Sequence, residues 1–208
     1  MATPLLIETL KKTVFHPHQP EIAQVAELTD FFITRNYPRK KILVSAGETW
    51  DKVFFIDQGI IRLFYSDQEG REFNKGFFRE GELAWPLAPY ARRNPSLFSI
   101  AALEDVRISV CGFDRFQAWL KNHGCWERFA LPYAESFAAE KFLREYEFLI
   151  HSAEERFENF LANNPELAKR IPDYHLASYL GITNVSLSRI KRRKPKRGDS
   201  NFGMHENS

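Results

Sequence analysis

Cysteine is nearly missing from this 208-residue chain: Cys111 and Cys125 are the only two. A disulfide framework and any four-thiolate zinc or iron–sulfur site are therefore excluded, and the pair reads as ordinary buried thiols. Long apolar runs are absent as well. Nothing approaches the roughly eighteen uninterrupted apolar residues of a membrane span, and the start, "MATPLLIETLKK", lacks the charged-then-apolar layout of a leader. The chain is expected to be cytoplasmic, with no membrane partner. No phosphate-binding glycine loop, Ser-His-Asp set or paired-carboxylate arrangement stands out, so nothing marks an enzyme. His16-Pro17-His18 has a metal-ligand spacing, but it lies in a proline-rich break ahead of the first strands and reads as an exposed linker. An excess of charge of one sign is also lacking overall, with 29 Lys and Arg against 27 Asp and Glu.

What is present is apolar bulk and one local concentration of charge. Hydrophobic residues make up 44% and include 19 Phe, enough for at least one sizeable core and, at this length, for two modest domains. Between Arg189 and Arg197 seven of nine positions are Lys or Arg. This distribution says more about partners than the net charge of +2 does.

Residues 5 to 35 read as helix, with a break at "HPHQP" and then Ile22, Val25, Ala26, Leu28 and Phe32 along one side. From about Tyr37 the texture changes to short runs rich in Val, Ile and Phe, bounded by turn signals at Ala46-Gly47, Gln58-Gly59, Glu69-Gly70 and Glu80-Gly81. Strands this short and closely spaced predict a small β sandwich or barrel ending near Val110. A short helix over "FDRFQAWLKN" and a long one from about Glu127 to His151 follow. In the long helix Ala139, Phe142, Tyr146 and Leu149 fall at spacings of three, four and three, a heptad seam. Its neighbours Phe137, Leu143, Phe148 and Ile150 extend the apolar surface beyond one partner's needs, so the helix suits both its own domain and a second copy. An ordinary core helix is the alternative. Ser152 and Glu155 form a capping box for the next helix, Asn163-Asn164-Pro165 ends it, and Ile171-Pro172-Asp173 opens another. The polar stretch after Lys194 reads as a disordered tail.

The most specific segment is "LASYLGITNVSLSRIKRR", Leu176 to Arg193. Leu176, Leu180, Ile182, Leu187 and Ile190 form an apolar set, Ala177 is small where two helices would cross, and Gly181 can turn the chain sharply. Thr183 suits an N-cap for a second helix from about Asn184 to Arg193. That pattern is a helix-turn-helix. With Leu187 and Ile190 in the core, the opposite face carries Asn184, Val185, Ser188, Arg189 and Arg192. These groups suit a major groove: Asn for adenine, Arg for guanine, Val for a thymine methyl, Ser for phosphate. Thr183 and Ser186 complete the candidate DNA-binding set, and Lys194, Lys196 and Arg197 would meet phosphates. The plain alternative is an antiparallel helix pair with a solvated charged end.

Over about residues 20 to 193 the chain resembles the Crp/Fnr superfamily of bacterial transcription regulators. The matching stretches are "KKILVSAGE", "VFFIDQGIIRLFY", Gly81-Glu82-Leu83-Ala84, "PSLFSIAALED", the long helix, "SAEERFENFL" and "LASYLGITNVSLSRI". The resemblance implies an α+β fold: an N-terminal β roll, a double-stranded β-helix like those that bind cyclic nucleotides, over 1–125; a dimerisation helix over 126–151; and a helical helix-turn-helix domain over 152–194, with 195–208 as tail. It further implies a homodimer, double-stranded DNA as partner, and RNA polymerase as a further one. The effector pocket would involve Gly81, Glu82, Leu83, Ala84, Arg93 and Ser96.

The pocket departs from the nucleotide-binding pattern. In those relatives the Glu takes the ribose hydroxyl, while an Arg placed directly before a Ser or Thr holds the cyclic phosphate together with helix-end amides; here Pro95 precedes Ser96, and Pro86 and Pro89 interrupt the short helix. Three readings stay open: Arg92 or Arg93 substitutes from upstream, the pocket takes another small molecule, or it takes nothing. Trp85, Phe98 and Phe77 would line an apolar cavity or simply pack. Cyclic AMP is expected to bind weakly or not at all, no cofactor is assigned, and an unidentified small effector is left open. Only about fifteen residues follow Arg193, too few for the β-hairpin wing of many relatives, so the DNA-binding part reads as minimal or truncated. Two rivals remain: a ligand-binding module acting through protein contacts, and a β-roll enzyme.

Overall fold

The computed structural model describes residues 2–15 and 22–193. The break at "HPHQP", including His16 and His18, and the tail with Lys194, Lys196 and Arg197 lie outside the described residues. At the N-terminus Thr3 caps helix α1, Pro4–Leu10, which runs into a π-helical turn at Lys11–Phe15. Helix α2 spans Ile22–Thr29.

Helix was expected as far as residue 35, but strand β1 already occupies Ile33–Tyr37. The apolar period ends at Phe32, whose ring meets Phe116 edge-on at 5.9 Å. Beyond it, backbone pairing with a distant strand outweighs local helical preference. The roll continues with β2 at Ile42–Val44, β3 at Lys52–Gln58, β4 at Ile61–Ser66, β5 at Glu72–Phe78 and β6 at Leu83–Ala84. Helix α3, Pro89–Arg93, comes next, and β7 at Ser99–Ala102 and β8 at Val106–Gly112 close the roll. Pro86 and Pro89 do not interrupt the short helix as expected, because Pro86 precedes it and Pro89 sits in its first turn, where no amide is needed. Two four-stranded antiparallel sheets result, ordered β1-β8-β3-β6 and β2-β7-β4-β5.

Strand β3 is buried on both faces, which is why "VFFI" reads as a continuous apolar run rather than an alternation. Phe54 and Ile56 face the core between the sheets, packing with Val44, Ile61, Ile100 and Ile108. Val53 and Phe55 face outward and are covered by Leu6, Leu10 and Leu28 of the N-terminal helices and by Phe116 and Phe129. The buried carboxylate of Asp57 ties this cover to the roll by accepting from the hydroxyls of Thr3 and Ser109.

Helix α4 is Phe113–Asn122 and α5 is Trp126–Ile150. Phe129, in the first turn of α5, is the helix's one buried residue. Cys111 and Cys125 are both buried and free, as expected. Four short helices complete the described chain: α6 at Ala153–Asn163, α7 at Pro165–Arg170, α8 at Asp173–Tyr179 and α9 at Asn184–Arg193. The capping box between Ser152 and Glu155 is present on both sides. Phe157, Phe160, Leu176, Leu187 and Ile190 form a separate core that also takes in Ile60 and Leu103 of the roll.

Helix α8 lies along β5, an edge strand, and covers it. The amide of Asn74 donates to Ser178 Oγ at 2.9 Å, and that hydroxyl donates to the Glu72 carbonyl at 2.8 Å. Asn74 Nδ2 lies 3.2 Å from both His175 Nδ1 and the His175 carbonyl, while its Oδ1 accepts from Arg62. On the far side Arg170 of α7 pairs with Glu80 at 2.8 Å and with Glu104, holding the Glu80 carboxyl down at about 2.

Burial, with Arg62 and Arg39 nearby, pulls the His175 imidazole from its usual 6.5 down to about 4. The ring is thus neutral where Asn74 donates to it. Between those two values the unfolded chain binds the extra proton and the folded chain does not, so stability falls as pH drops from about 6.5 toward 4. Urea midpoints measured across that window should show a decline that is reduced in His175→Asn.

Candidate functional site

Two regions carry chemistry: the outer face of α9, and a cavity where the roll, α5 and the α8–α9 turn meet. At the first, Gly181 takes φ +68° and lets the chain turn between the helices. Thr183 caps α9 by accepting from the Ser186 amide at 3.1 Å, and the two hydroxyls lie 2.9 Å apart. Thr183 and Ser186, both in the expected DNA-binding set, therefore serve each other at the helix start. Leu187 and Ile190 are buried as expected. Asn184, Val185, Ser188, Arg189 and Arg192 are exposed together, with Val185 at 61%. An exposed Val beside two Arg and an Asn is not a face that needs to pack within its own domain. Lys191 is committed elsewhere, paired with Asp173 at the start of α8.

The end of α5 and the start of α6 hold the turn from behind. Arg144 donates to the Tyr179 carbonyl at 2.9 Å, and Arg156 donates to the carbonyls of Leu180 at 3.1 Å and His151 at 2.7 Å. These guanidinium groups satisfy carbonyls that α8 leaves open at its C-terminus and favour the negative end of its dipole. Phe148 lies between them, 4.9 Å from Arg144 and 5.0 Å from Arg156. A Cβ on Gly181 would stand 2.5 Å from that ring, so the turn and α5 touch directly.

Along α5 the expected seam residues Ala139, Phe142, Tyr146 and Leu149 are all exposed, with Phe142 at 71% and Leu149 at 75%. Phe137, Lys141, Arg144 and Phe148 follow spacings of four, three and four on another face, and they line the cavity. At roughly 100° per residue the two faces are about 150° apart.

The residues expected to form an effector pocket lie in different surroundings. Gly81 and Glu82 occupy the turn into β6, and Glu82 accepts from the Arg79 amide at 2.9 Å. Leu83 and Ala84 are buried in separate cores. Arg93 is exposed and is not among the residues lining the cavity. Arg92 is drawn away from Ser96: it donates to the carbonyls of Pro86 and Leu87 and lies over Trp85, Phe113 and Trp126. Of the expected set only Ser96 lines the cavity, and its hydroxyl donates to the Phe98 carbonyl at 2.6 Å. Trp85 also belongs to the N-terminal aromatic core and does not line the cavity.

The cavity itself measures about 650 Å³. Its walls include Tyr65, Phe73, Lys75, Phe98, Phe137 and Arg144. Apart from Phe98 and Phe137, sequence reasoning did not single these residues out. Phe137 was read only as part of a broad apolar helix, and Lys75 gave no signal because a β-bulge places it. In β5 the register jumps from Asn74↔Phe64 to Gly76↔Leu63, leaving Lys75 as the extra residue. Among the described residues no cluster of His, Cys, Asp and Glu has the makings of a metal site. No helix there is long and apolar enough to cross a membrane.

The cyclic nucleotide-binding domain family matches residues 34–123. No curated protein matches the chain significantly. Among solved structures, a CooA variant from Carboxydothermus hydrogenoformans is similar over 89% of this chain and 83% of its own, at 18% identity and a TM-score of 0.64. CLP, a c-di-GMP-responsive global regulator from Xanthomonas campestris, is similar over 83% and 91%, at 13% identity and a TM-score of 0.63. A structure from Eubacterium rectale assigned to the Crp/Fnr family of transcriptional regulators is similar over 84% and 83%, at 14% identity and a TM-score of 0.65. Residues 34–123 thus match the cyclic nucleotide-binding domain family, and the chain as a whole shares its fold with these three solved structures.

Proposed function

We propose that this chain is a homodimeric, sequence-specific DNA-binding transcription regulator, pairing through α5 and reading the major groove with α9. The observation that carries the reading is the face of α9: Asn184, Val185, Ser188, Arg189 and Arg192 stand in solvent while Leu187 and Ile190 hold the helix to its core. A major groove admits one helix, and these side chains match its donor, acceptor and methyl pattern. The apolar stripe at Phe142, Tyr146 and Leu149 supports pairing, since a single copy leaves it in water. A two-fold dimer should select an inverted repeat with half-sites about one helical turn apart. RNA polymerase is the further partner this reading implies.

Selection from random duplexes followed by gel shift tests it. Arg189→Ala should cost a base-edge interaction worth roughly 1–3 kcal/mol and relax preference at one position per half-site. Arg193→Gln, at the end of α9, should weaken binding to all sequences alike and flatten the log–log salt dependence by about 0.9 for each phosphate it no longer neutralises. If Arg189→Ala weakened specific and random DNA equally, with the selected sequence unchanged, α9 would not be reading the groove.

A further inference from the structure

The cavity between the roll, α5 and the α8–α9 turn has an unusual balance of charge. Three cations, Lys75, Lys141 and Arg144, line it, and no acidic side chain does. Lys141 is paired with Glu140 at 2.8 Å and Arg144 with the Tyr179 carbonyl. Lys75 has no carboxylate within ion-pair distance among the described residues; its ammonium sits 5.3 Å from the Phe98 ring centroid and 5.2 Å from that of Phe137. Burial, with Lys141 and Arg144 nearby, lowers it to about 8, the Glu140 carboxylate that pairs with Lys141 offsetting only part of this. A half-buried ammonium held by a β-bulge among aromatic rings, with no carboxylate in direct contact, is costly unless an anion arrives to share the site.

The remaining walls narrow the class of that anion. Phe73, Phe98, Phe137 and Phe148 supply ring surface. The small polar groups are already engaged, since Ser96 donates to the Phe98 carbonyl, Ser178 to the Glu72 carbonyl, and Asn74 bonds to Arg62 and His175, which leaves the exposed Tyr65 and Tyr90 as the other neutral polar side chains of the walls. A ribose and a purine edge would lose water there with too few partners to replace it. A flat apolar body with one anionic end loses little, and charge-assisted bonds to the cations hold that end.

We propose that the cavity binds a small aromatic carboxylic acid, its ring among Phe73, Phe98 and Phe137 and its carboxylate between Lys75, Lys141 and Arg144, and that occupancy is transmitted to the α8–α9 turn. Transmission follows from the walls, because Ser178 and Gly181 belong to them and Arg144 bridges the cavity to the end of α8. A carboxylate competes with the Tyr179 carbonyl for that guanidinium. The binding claim stands apart from the DNA-binding reading; only the transmission rests on it.

Calorimetric titration of the full chain with 2-naphthoate, 2-naphthamide and cyclic AMP tests the class. The carboxylate should bind about tenfold or more tightly than the amide and than cyclic AMP. Its affinity should fall as pH rises past about 8, where Lys75 loses its proton. Lys75→Met and, separately, Lys141→Met should weaken 2-naphthoate about tenfold while leaving the amide little changed, with Lys75→Arg retaining binding and circular dichroism confirming the fold. Equal affinity for acid and amide, tighter cyclic AMP, no binding of 2-naphthoate, or unchanged affinity in both methionine variants would each overturn the proposal. In gel shifts, saturating 2-naphthoate should change affinity for the selected duplex about threefold or more. Unchanged DNA affinity would overturn the transmission alone, while the DNA-binding reading stands or falls with Arg189→Ala.

Discussion

Replacing Phe142 and Leu149 together by glutamate is expected to convert a dimer into a monomer at micromolar concentration and to abolish tight binding to the selected inverted repeat. Both side chains lie in solvent within one protomer, so their substitution leaves the protomer's own cores intact. Across a two-fold seam each variant removes four large apolar groups, worth roughly 1.5–3 kcal/mol apiece when buried, and sets like charges against one another. Even part of that loss raises the dissociation constant about a thousandfold or more. Light scattering reads the mass directly, and circular dichroism should show the monomer still folded, its melt lowered by no more than the lost association contributed. A double variant that kept the dimer mass would place the interface elsewhere and leave the apolar stripe on α5 unexplained.

Gly59→Ala should bring the largest loss of stability from a single methyl group. The residue joins β3 to β4 at φ +93°, a conformation that costs a side-chain-bearing residue roughly 1–2 kcal/mol. Its Cβ would stand 2.6 Å from Val106 Cγ1 and 2.8 Å from the Asp105 carbonyl oxygen, and forcing such close approaches apart adds roughly 1–3 kcal/mol. The backbone oxygen cannot swing aside as a side-chain tip does. Together the terms reach about 2–5 kcal/mol, a large share of the roughly 5–15 kcal/mol that holds a native protein together. The Gly59 amide also donates to Glu80 at 2.6 Å, and Glu80 holds Arg170, so the damage extends to the link between the roll and the C-terminal helices. Gly70→Ala is the control, with φ +77° and open space around the added carbon. Urea unfolding should rank Gly59→Ala well below Gly70→Ala; equal losses would mean that the chain near Asp105 yields without cost.

The sequence carried the parts of this protein that depend on near neighbours. The period of Leu176, Leu180, Leu187 and Ile190, the capping threonine and the turn glycine are read within a few residues of one another, and the helix pair follows from them. The capping box at Ser152 and the short strands between turn signals were legible for the same reason. Where a distant partner decided the outcome, local reading failed. Ile33–Arg35 became strand because β8 offered a backbone ladder, and Arg92 turned toward Trp85, Phe113 and Trp126 instead of toward Ser96. The cavity belongs wholly to the tertiary structure. Lys75, Phe98, Lys141 and Gly181 lie far apart in the chain, and only the bulge in β5, the docking of α8 on the sheet edge and the second face of α5 bring them around one space. Patterns within one element fix its faces; which faces meet is settled by packing and by the pairing of edges and charges between distant segments.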